Sequence, residues 1–326
     1  MNQAYFITGA YGCIGSWVIK SLIDRGDQPV VFDRSDDNRR LRAIMSDDAI
    51  SRVRFLRGDV TNASAVAQAL ADSGAKKVIH LAGLQVPTCK AAPVEGAMVN
   101  VIGTLNVFEA ARSLKVDRVV YASSAAVYGL TEDGAPVDET LACEPSTHYG
   151  VFKRANEGNA RVYFLDHGVS SVGLRPLTVY GVGRDFGLTS DPTKAMKSAV
   201  LGRPFQIRFS GATDFLYVAD TAAAFIASAD RSPKGAHVFN LHGDSVGVEE
   251  IIRTINECLP SSSRGLISFG GPAIPIAAAM NGALFHAAVG GVSMTPLDEG
   301  VRWTIARFRE LQEAGRLDSS ELEPSQ

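Results

Sequence analysis

Tyr149 and Lys153 stand four residues apart in Tyr149-Gly150-Val151-Phe152-Lys153, with Ser124 upstream. On a helix, residues i and i+4 share a face, so the phenol and the ammonium point the same way, one turn apart. A free phenol titrates near pH ~10, too high for a base at neutral pH. A cation one turn away favours the phenolate and lowers that value. Tyr149 therefore reads as a proton-transfer group for an alcohol or carbonyl, with Lys153 as its electrostatic partner. The Ser124 hydroxyl is placed to hold the reacting oxygen. An aromatic core residue beside a solvated lysine gives the same spacing, and with 8 Tyr in the chain the pair alone is weak. The rest of the chain decides between the two.

The elements that would position these groups begin at once. Ala4 to Thr8 reads as a buried strand, followed by Gly9-Ala10-Tyr11-Gly12-Cys13-Ile14-Gly15, a helical pattern from Ile14 to Arg25, and a second strand, Pro29 to Asp33. Strand, glycine turn, helix and a strand ending in an acid make a dinucleotide-binding unit. The glycines let a pyrophosphate approach the free N–H groups of a helix N-terminus. Asp33 would accept hydrogen bonds from both adenosine ribose hydroxyls, and Arg34 could stack on adenine. A carboxylate where a 2′-phosphate would sit predicts NAD over NADP.

Residues 34 to 50 read as a charged loop or short helix, with Arg39, Arg40 and Arg42 solvated. Further strands are expected at 53–59, 77–83, 117–123 and 171–175, with helices from about Asn62 to Ser73, Val94 to Leu114 and Tyr149 to His167. The alternation predicts an α/β fold with a doubly wound parallel sheet. After Pro176, glycine and proline interruptions and shorter elements indicate a smaller lobe. We divide the chain into a dinucleotide-binding domain over 1–176, to which parts of 205–240 could return, a substrate lobe over 177–315, and a disordered tail over 316–326. His80 reads as a satisfied core histidine, and Cys89 as a buried inert thiol.

Composition sets the boundaries. The 326 residues are 46% hydrophobic and 21% charged, as in an ordinary globular protein. A net charge of -3 gives no basic footprint for nucleic acid or an anionic membrane. Cys13, Cys89, Cys143 and Cys258 are scattered with no Cys-x-x-Cys pair, which argues against a zinc site or disulfide framework. No leader pattern precedes the first strand, and no apolar run reaches ~18 residues. The expectation is a cytoplasmic protein with a small-molecule substrate and no metal.

Taken together, these motifs resemble the extended short-chain dehydrogenase/reductase family, also called the NAD-dependent epimerase/dehydratase family. The resemblance rests on Gly9-x-x-Gly12-x-x-Gly15, Asp33, Asp59-Val60, Leu81-Ala82-Gly83, Asn100, Ser123 to Gly129, Tyr149-x-x-x-Lys153, Leu174 to Gly181 and Asp214 to Asp220. It implies a NAD site formed by Gly9, Gly12, Cys13, Ile14, Gly15, Asp33, Arg34, Asp59, Val60, Leu81, Ala82, Gly83, Asn100, Tyr149, Lys153 and Leu177. It implies catalysis by Ser124, Tyr149 and Lys153, and a substrate pocket that includes Gln85, Ser124, Ala125, Thr178 and Arg184. It also implies a homodimer through helices near 94–114 and 147–167.

Departures from the family pattern bear on the reaction. Ala125 and Ala126 stand where dehydratases of this family have an acid pair. Thr178, Thr213 and Gln85 stand where sugar-nucleotide epimerases tend to have Asn, Arg and Lys. Arg184 and Arg208 remain as candidate anion contacts. Three readings follow: a dehydrogenase or reductase of a small sugar, sugar acid or polyol, an epimerase working by transient oxidation, and a catalytically silent dinucleotide sensor. The Ser124, Tyr149 and Lys153 set argues against the third. The first is preferred.

Overall fold

Alternate residues of the strand Ala4–Thr8 (β1) are apolar towards both sides: Tyr5 and Ile7 enter one buried cluster and Phe6 another. The same holds for Val78 and Ile79, and for Val119 and Val120. A strand that is apolar on both faces must be covered on both, which is the condition for an internal parallel strand. The computed structural model describes residues 3–130, 135–274 and 276–322. Residues 131–134, in the acid- and proline-rich stretch from Leu130 to Pro145 that reads as a loop, and residues 323–326 of the expected tail, lie outside them.

β1 pairs in parallel with Gln28–Asp33 (β2), which pairs with Arg54–Arg57 (β3). On its other side β1 pairs with Lys77–His80 (β4), then come Arg118–Ala122 (β5) and Ser171–Arg175 (β6). The order reverses between β1 and β4, and the glycine turn after β1 lies at that switch point, where open α/β sheets bind ligands. Thr178–Tyr180 (β7), Phe205–Ile207 (β8) and Ala212–Tyr217 (β9) lie outside this sheet. The chain then returns to it: Ala236–Asn240 (β10) pairs in parallel with β6 and completes a seven-stranded sheet. Asp244–Gly247 (β11) joins β9 and β7 in a three-stranded sheet, and Ile267–Phe269 (β12) pairs with β8.

The helices that matter for the site are Cys13–Asp24 (α1), Ala63–Ser73 (α2), Gly103–Ser113 (α3), His148–His167 (α4), Asp191–Val200 (α5), Val218–Arg231 (α6), Val248–Glu257 (α7) and Leu297–Glu313 (α8). α1 and α6 cover one face of the large sheet, and α2, α3 and α4 the other. The helix expected over 94–114 is one continuous rod, but its middle, Met98–Ile102, is a π-helical turn. Asn62 caps α2 by accepting from the Ala65 N–H at 3.0 Å, and Thr147 caps α4 by accepting from the Gly150 N–H at 3.0 Å. Gly168, in the left-handed region at φ 69°, ends α4.

Two expectations are corrected. Arg40 is not solvated: its Nη1 donates to the Tyr11 carbonyl at 3.0 Å, its Nε to the Gly183 carbonyl at 3.2 Å, and its Nη2 to Asp185 at 2.7 Å. The polar tail expected from 316 is placed as far as Leu322. Lys197 Nζ donates to the Asp318 carbonyl at 2.8 Å and to Glu321, and Arg316 donates to the Arg42 carbonyl at 2.7 Å. Among the described residues no helix is long and apolar enough to cross a membrane, and no His, Cys, Asp and Glu group is arranged to hold a metal.

Candidate active site

One cleft of about 400 Å³ runs over the C-terminal edge of the large sheet and collects most of the site residues expected from sequence. Its dinucleotide half is built by the turn after β1. Gly9 has φ 63°, and a Cβ there would overlap the backbone of Ala82. A Cβ on Gly15 would stand 2.5 Å from the Ala10 carbonyl oxygen, so α1 can start this close to the turn only without one. Gly12 precedes α1 and offers no side-chain cap, which leaves the first amides of Cys13 and Ile14 without a side-chain acceptor. Such a cradle of bare backbone at a helix N-terminus fits a pyrophosphate.

Asp33, at the end of β2, lines the same half. It accepts from the Tyr11 N–H at 3.1 Å and the Ser35 N–H at 3.2 Å, which fixes its carboxylate toward the turn. Arg34, Asp59 and Val60 complete this end, Asp59 being held by the Thr61 N–H at 2.8 Å and hydroxyl at 2.9 Å. Leu81, Ala82 and Gly83 follow β4 along the floor, and Leu177 closes the far side. The residues present fit a dinucleotide in the orientation that Asp33 and the glycine turn imply.

The chemistry lies at the centre. Ser124, Tyr149 and Lys153 all line the cleft. Ser124 caps a short 3-10 turn, Ala125–Val127, by accepting from the Ala126 N–H at 3.2 Å. Lys153 Nζ is 5.4 Å from the centre of the Tyr149 ring, as the helical spacing predicts. Burial pushes the Tyr149 phenol up, while the Ser124 hydroxyl and then the Arg184 guanidinium pull it down. The sequence expectation gave this lowering to Lys153, but Arg184 supplies the cationic part of it here. Lys153 is 5% exposed, and burial lowers its ammonium to about 8.

Three expected site residues lie outside the cleft. Asn100 is buried beneath its floor: its Oδ1 accepts from the Leu84 N–H and its Nδ2 donates to the Leu84 carbonyl, both at 3.1 Å. It thus shapes the Gly83-Leu84 backbone from behind. Ala125 is fully buried in a cluster with Val127, Tyr128 and Met280, and Ala126 takes the lining position instead. Thr178 is also fully buried, its hydroxyl 2.7 Å from that of Thr213. Of the other candidates, Gln85 and Arg184 line the cleft, and Arg184 Nη1 donates to Gln85 Oε1 at 3.4 Å. Arg208 does not. It donates to Asp191 from Nε at 2.9 Å and Nη2 at 2.7 Å, and its side chain is 70% exposed.

His80 is the satisfied core residue its setting predicts, with Nδ1 2.6 Å from the Thr8 hydroxyl and Nε2 3.0 Å from that of Thr104. Burial, then the Lys153 charge, lowers it to about 3. Cys89 is buried, bonded to Leu84 and Asn100, and its thiol is pushed up by burial, as befits an inert one.

Sequence reasoning missed the residues that hold the centre together. A Cβ on Gly150 would overlap the Ala126 carbonyl oxygen, so glycine there lets α4 lie against the Ser124 turn. Glu157, 4% exposed, accepts from the Ser123 hydroxyl at 2.6 Å and from Arg175 Nε and Nη2, both at 2.7 Å. It ties the end of β5 to α4 one turn beyond Lys153. Its spacing from Lys153 was the available signal. Ile274 and Ile276, which line the mouth, carried none, because they lie in a stretch without periodicity.

A glycine turn, an acid-ended second strand and a Ser-Tyr-Lys centre over one cleft define an extended short-chain dehydrogenase/reductase. The chain belongs to the NAD-dependent epimerase/dehydratase family, which it matches over residues 5–241, and that membership makes it an enzyme with NAD as its cofactor. It is similar to the UDP-glucose 4-epimerase of Azospirillum brasilense, at 30% identity over 272 residues, 77% of this chain and 76% of that one. The Streptomyces lividans UDP-glucose 4-epimerase is 28% identical over 275 residues, covering 78% and 80%. Among solved structures, MoeE5 in complex with UDP-glucose and NAD superposes with a TM-score of 0.80 at 27% identity, over 95% of this chain and 99% of that one. The UDP-glucose 4-epimerase of Thermus thermophilus with NAD gives 0.81 at 24% identity, over 94% and 99%, a likeness of fold.

Proposed function

We propose that the protein is a dehydrogenase or reductase of a small hydroxy or keto compound of the sugar, sugar-acid or polyol type. Ser124 holds the reacting oxygen, and Tyr149 takes the hydroxyl proton in oxidation and returns it in reduction. Arg184 favours the phenolate, and Lys153, buried beside the ring and lowered to about 8, is itself poised to exchange a proton near neutral pH. NAD, when bound, supplies the hydride acceptor or donor.

The observation that carries this reading is the Thr178–Thr213 pair. Two hydroxyls spend themselves on each other in the core, 2.7 Å apart, and Arg208 is taken by Asp191. The substrate side of the cleft is left with Arg184 as its guanidinium, beside Gln85, Leu188, Thr189, Ile274 and Ile276. A nucleoside diphosphate brings two or more charges, and burying them against one fork is costly. A second reading, epimerisation of a nucleotide sugar with NAD retained, is favoured by the relatives described above.

One assay separates the two. The purified chain, with NAD, is offered sugars, sugar acids and polyols, and separately UDP-glucose and UDP-galactose. The first reading requires reduced nicotinamide to accumulate with one of the small substrates. Interconversion of the two UDP-sugars with no accumulation would overturn it.

The protein is also proposed to be a homodimer. Val94, Met98 and Ile102 are exposed on one helical face, and Val151, Val162 and Leu165 on the neighbouring α4. Six large apolar side chains on adjacent helices form a patch that a second copy would cover.

A further inference from the structure

We infer that Arg184 is the receptor for a carboxylate of the substrate, which makes the substrate a hydroxy acid or the corresponding keto acid. The inference rests on the hydride-transfer reading above and names the substrate class for it. Arg184 is held by a turn in which its own N–H donates to the Gly181 carbonyl at 3.0 Å. Its Nη2 donates to the Thr189 hydroxyl at 3.1 Å and its Nη1 to Gln85 at 3.4 Å. Both partners are neutral. No carboxylate among the described residues lies within salt-bridge reach of it.

The neighbouring acid does not serve. Asp185 is drawn off by Arg40 at 2.7 Å and lies 3.9 Å from Arg39. Arg184 Nε is buried with no partner. A guanidinium offers five N–H donors. Gln85 and Thr189 engage one each, and the rest have no protein acceptor among the described residues. A half-buried guanidinium in an apolar cleft, oriented but without a counter-charge, matches the planar fork of a carboxylate.

The loop is shaped to keep it so. Gly187 has φ 107°, and a Cβ there would overlap Gln85 Oε1 and stand 3.1 Å from Arg184 Nη2. The same guanidinium acts on the Tyr149 phenol, which places its charge close to the reacting centre. Leu188, Ile274 and Ile276 line the same cleft. A small acid would be gripped at one end by Arg184 and presented to Ser124 and Tyr149 at the other.

The test uses the full chain carrying Tyr149→Phe, so that nothing turns over, saturated with NAD. It is titrated calorimetrically with D-gluconate, D-glycerate and D-galacturonate, each beside its counterpart without a carboxylate: sorbitol, glycerol and galactose. At least one acid should bind about tenfold or more tightly than its counterpart, the worth of a charge-assisted contact. Adding Arg184→Gln should erase that preference, Arg184→Lys should keep part of it, and the NAD dissociation constant should move by less than about twofold. Three results would overturn the assignment: no acid is preferred, the preference survives Arg184→Gln, or Arg184→Gln weakens NAD instead. In the unsubstituted chain, oxidation of a neutral polyol faster than of any of the three acids would sink it while leaving the hydride-transfer reading intact. UDP-sugar interconversion without accumulated reduced nicotinamide would remove that reading itself.

Discussion

On the proposed reading Tyr149 serves only the proton, so Tyr149→Phe should lower turnover by about 10²–10⁴-fold and leave NAD affinity nearly unchanged. Lys153→Met should damage both turnover and NAD binding, since the resemblance places Lys153 in the NAD site as well as in the catalytic set. Near-normal turnover in Tyr149→Phe would refute the assignment. Gly150 tests geometry instead of chemistry. A methyl group there must push α4 off the Ala126 carbonyl, and overpacking of this kind costs about 1–3 kcal/mol. Gly150→Ala should therefore depress kcat while circular dichroism still reports a folded chain. His80 gives a pH prediction. Its folded value, about 3, lies below its ordinary 6.5, so below 6.5 the unfolded chain binds a proton that the native one refuses. Stability should fall as pH drops through that window, read as a declining urea midpoint. A midpoint that held steady there would contradict the burial of a neutral imidazole. The proton-transfer pair was legible from sequence because i, i+4 spacing is local. Gly150 and Glu157 were not, because their partners Ala126, Ser123 and Arg175 are distant in the chain.

At the scale of elements, six strands of the large sheet were legible in place and order, although those expected at 53–59 and 77–83 end at Arg57 and His80. Strand runs apolar on both faces, a 3.6-residue period between them, and Asn62 as a helix start are signals carried by neighbouring residues. The second lobe was legible only in part. Its placing depends on long-range pairings such as β7 with β9 and β8 with β12, for which no local period exists. The solvated reading of Arg40 failed for the same reason, since it finds its partners at Tyr11, Gly183 and Asp185, whereas Arg34, Arg39 and Arg42 are exposed as expected. The exposed face of α4 makes a prediction of its own. Replacing Val162 and Leu165 by Glu should shift the protein to a monomer in analytical ultracentrifugation, because charges cannot be buried unpaired in an apolar contact. An unsubstituted chain that sediments as a monomer would exclude the dimer outright.

For the whole molecule, the decisive fact is that β10 comes from beyond the second lobe's first strands yet completes the first lobe's sheet. It brings Asn240, whose Oδ1 accepts from the Tyr128 hydroxyl at 2.8 Å and whose Nδ2 donates to the Val137 carbonyl at 3.0 Å. During synthesis, then, β6 waits as an open edge while residues 176 to 235 emerge. An unpaired edge strand is a template for wrong partners. We therefore expect a vulnerable interval in the nascent chain, ended by the pairing of β10 with β6. A polypeptide ending at residue 176 should be retained by chaperones or aggregate, whereas one ending at 322 should be released and melt in a single transition. If the shorter chain proved monomeric and cooperatively folded, the late strand would be an ornament and the interval harmless.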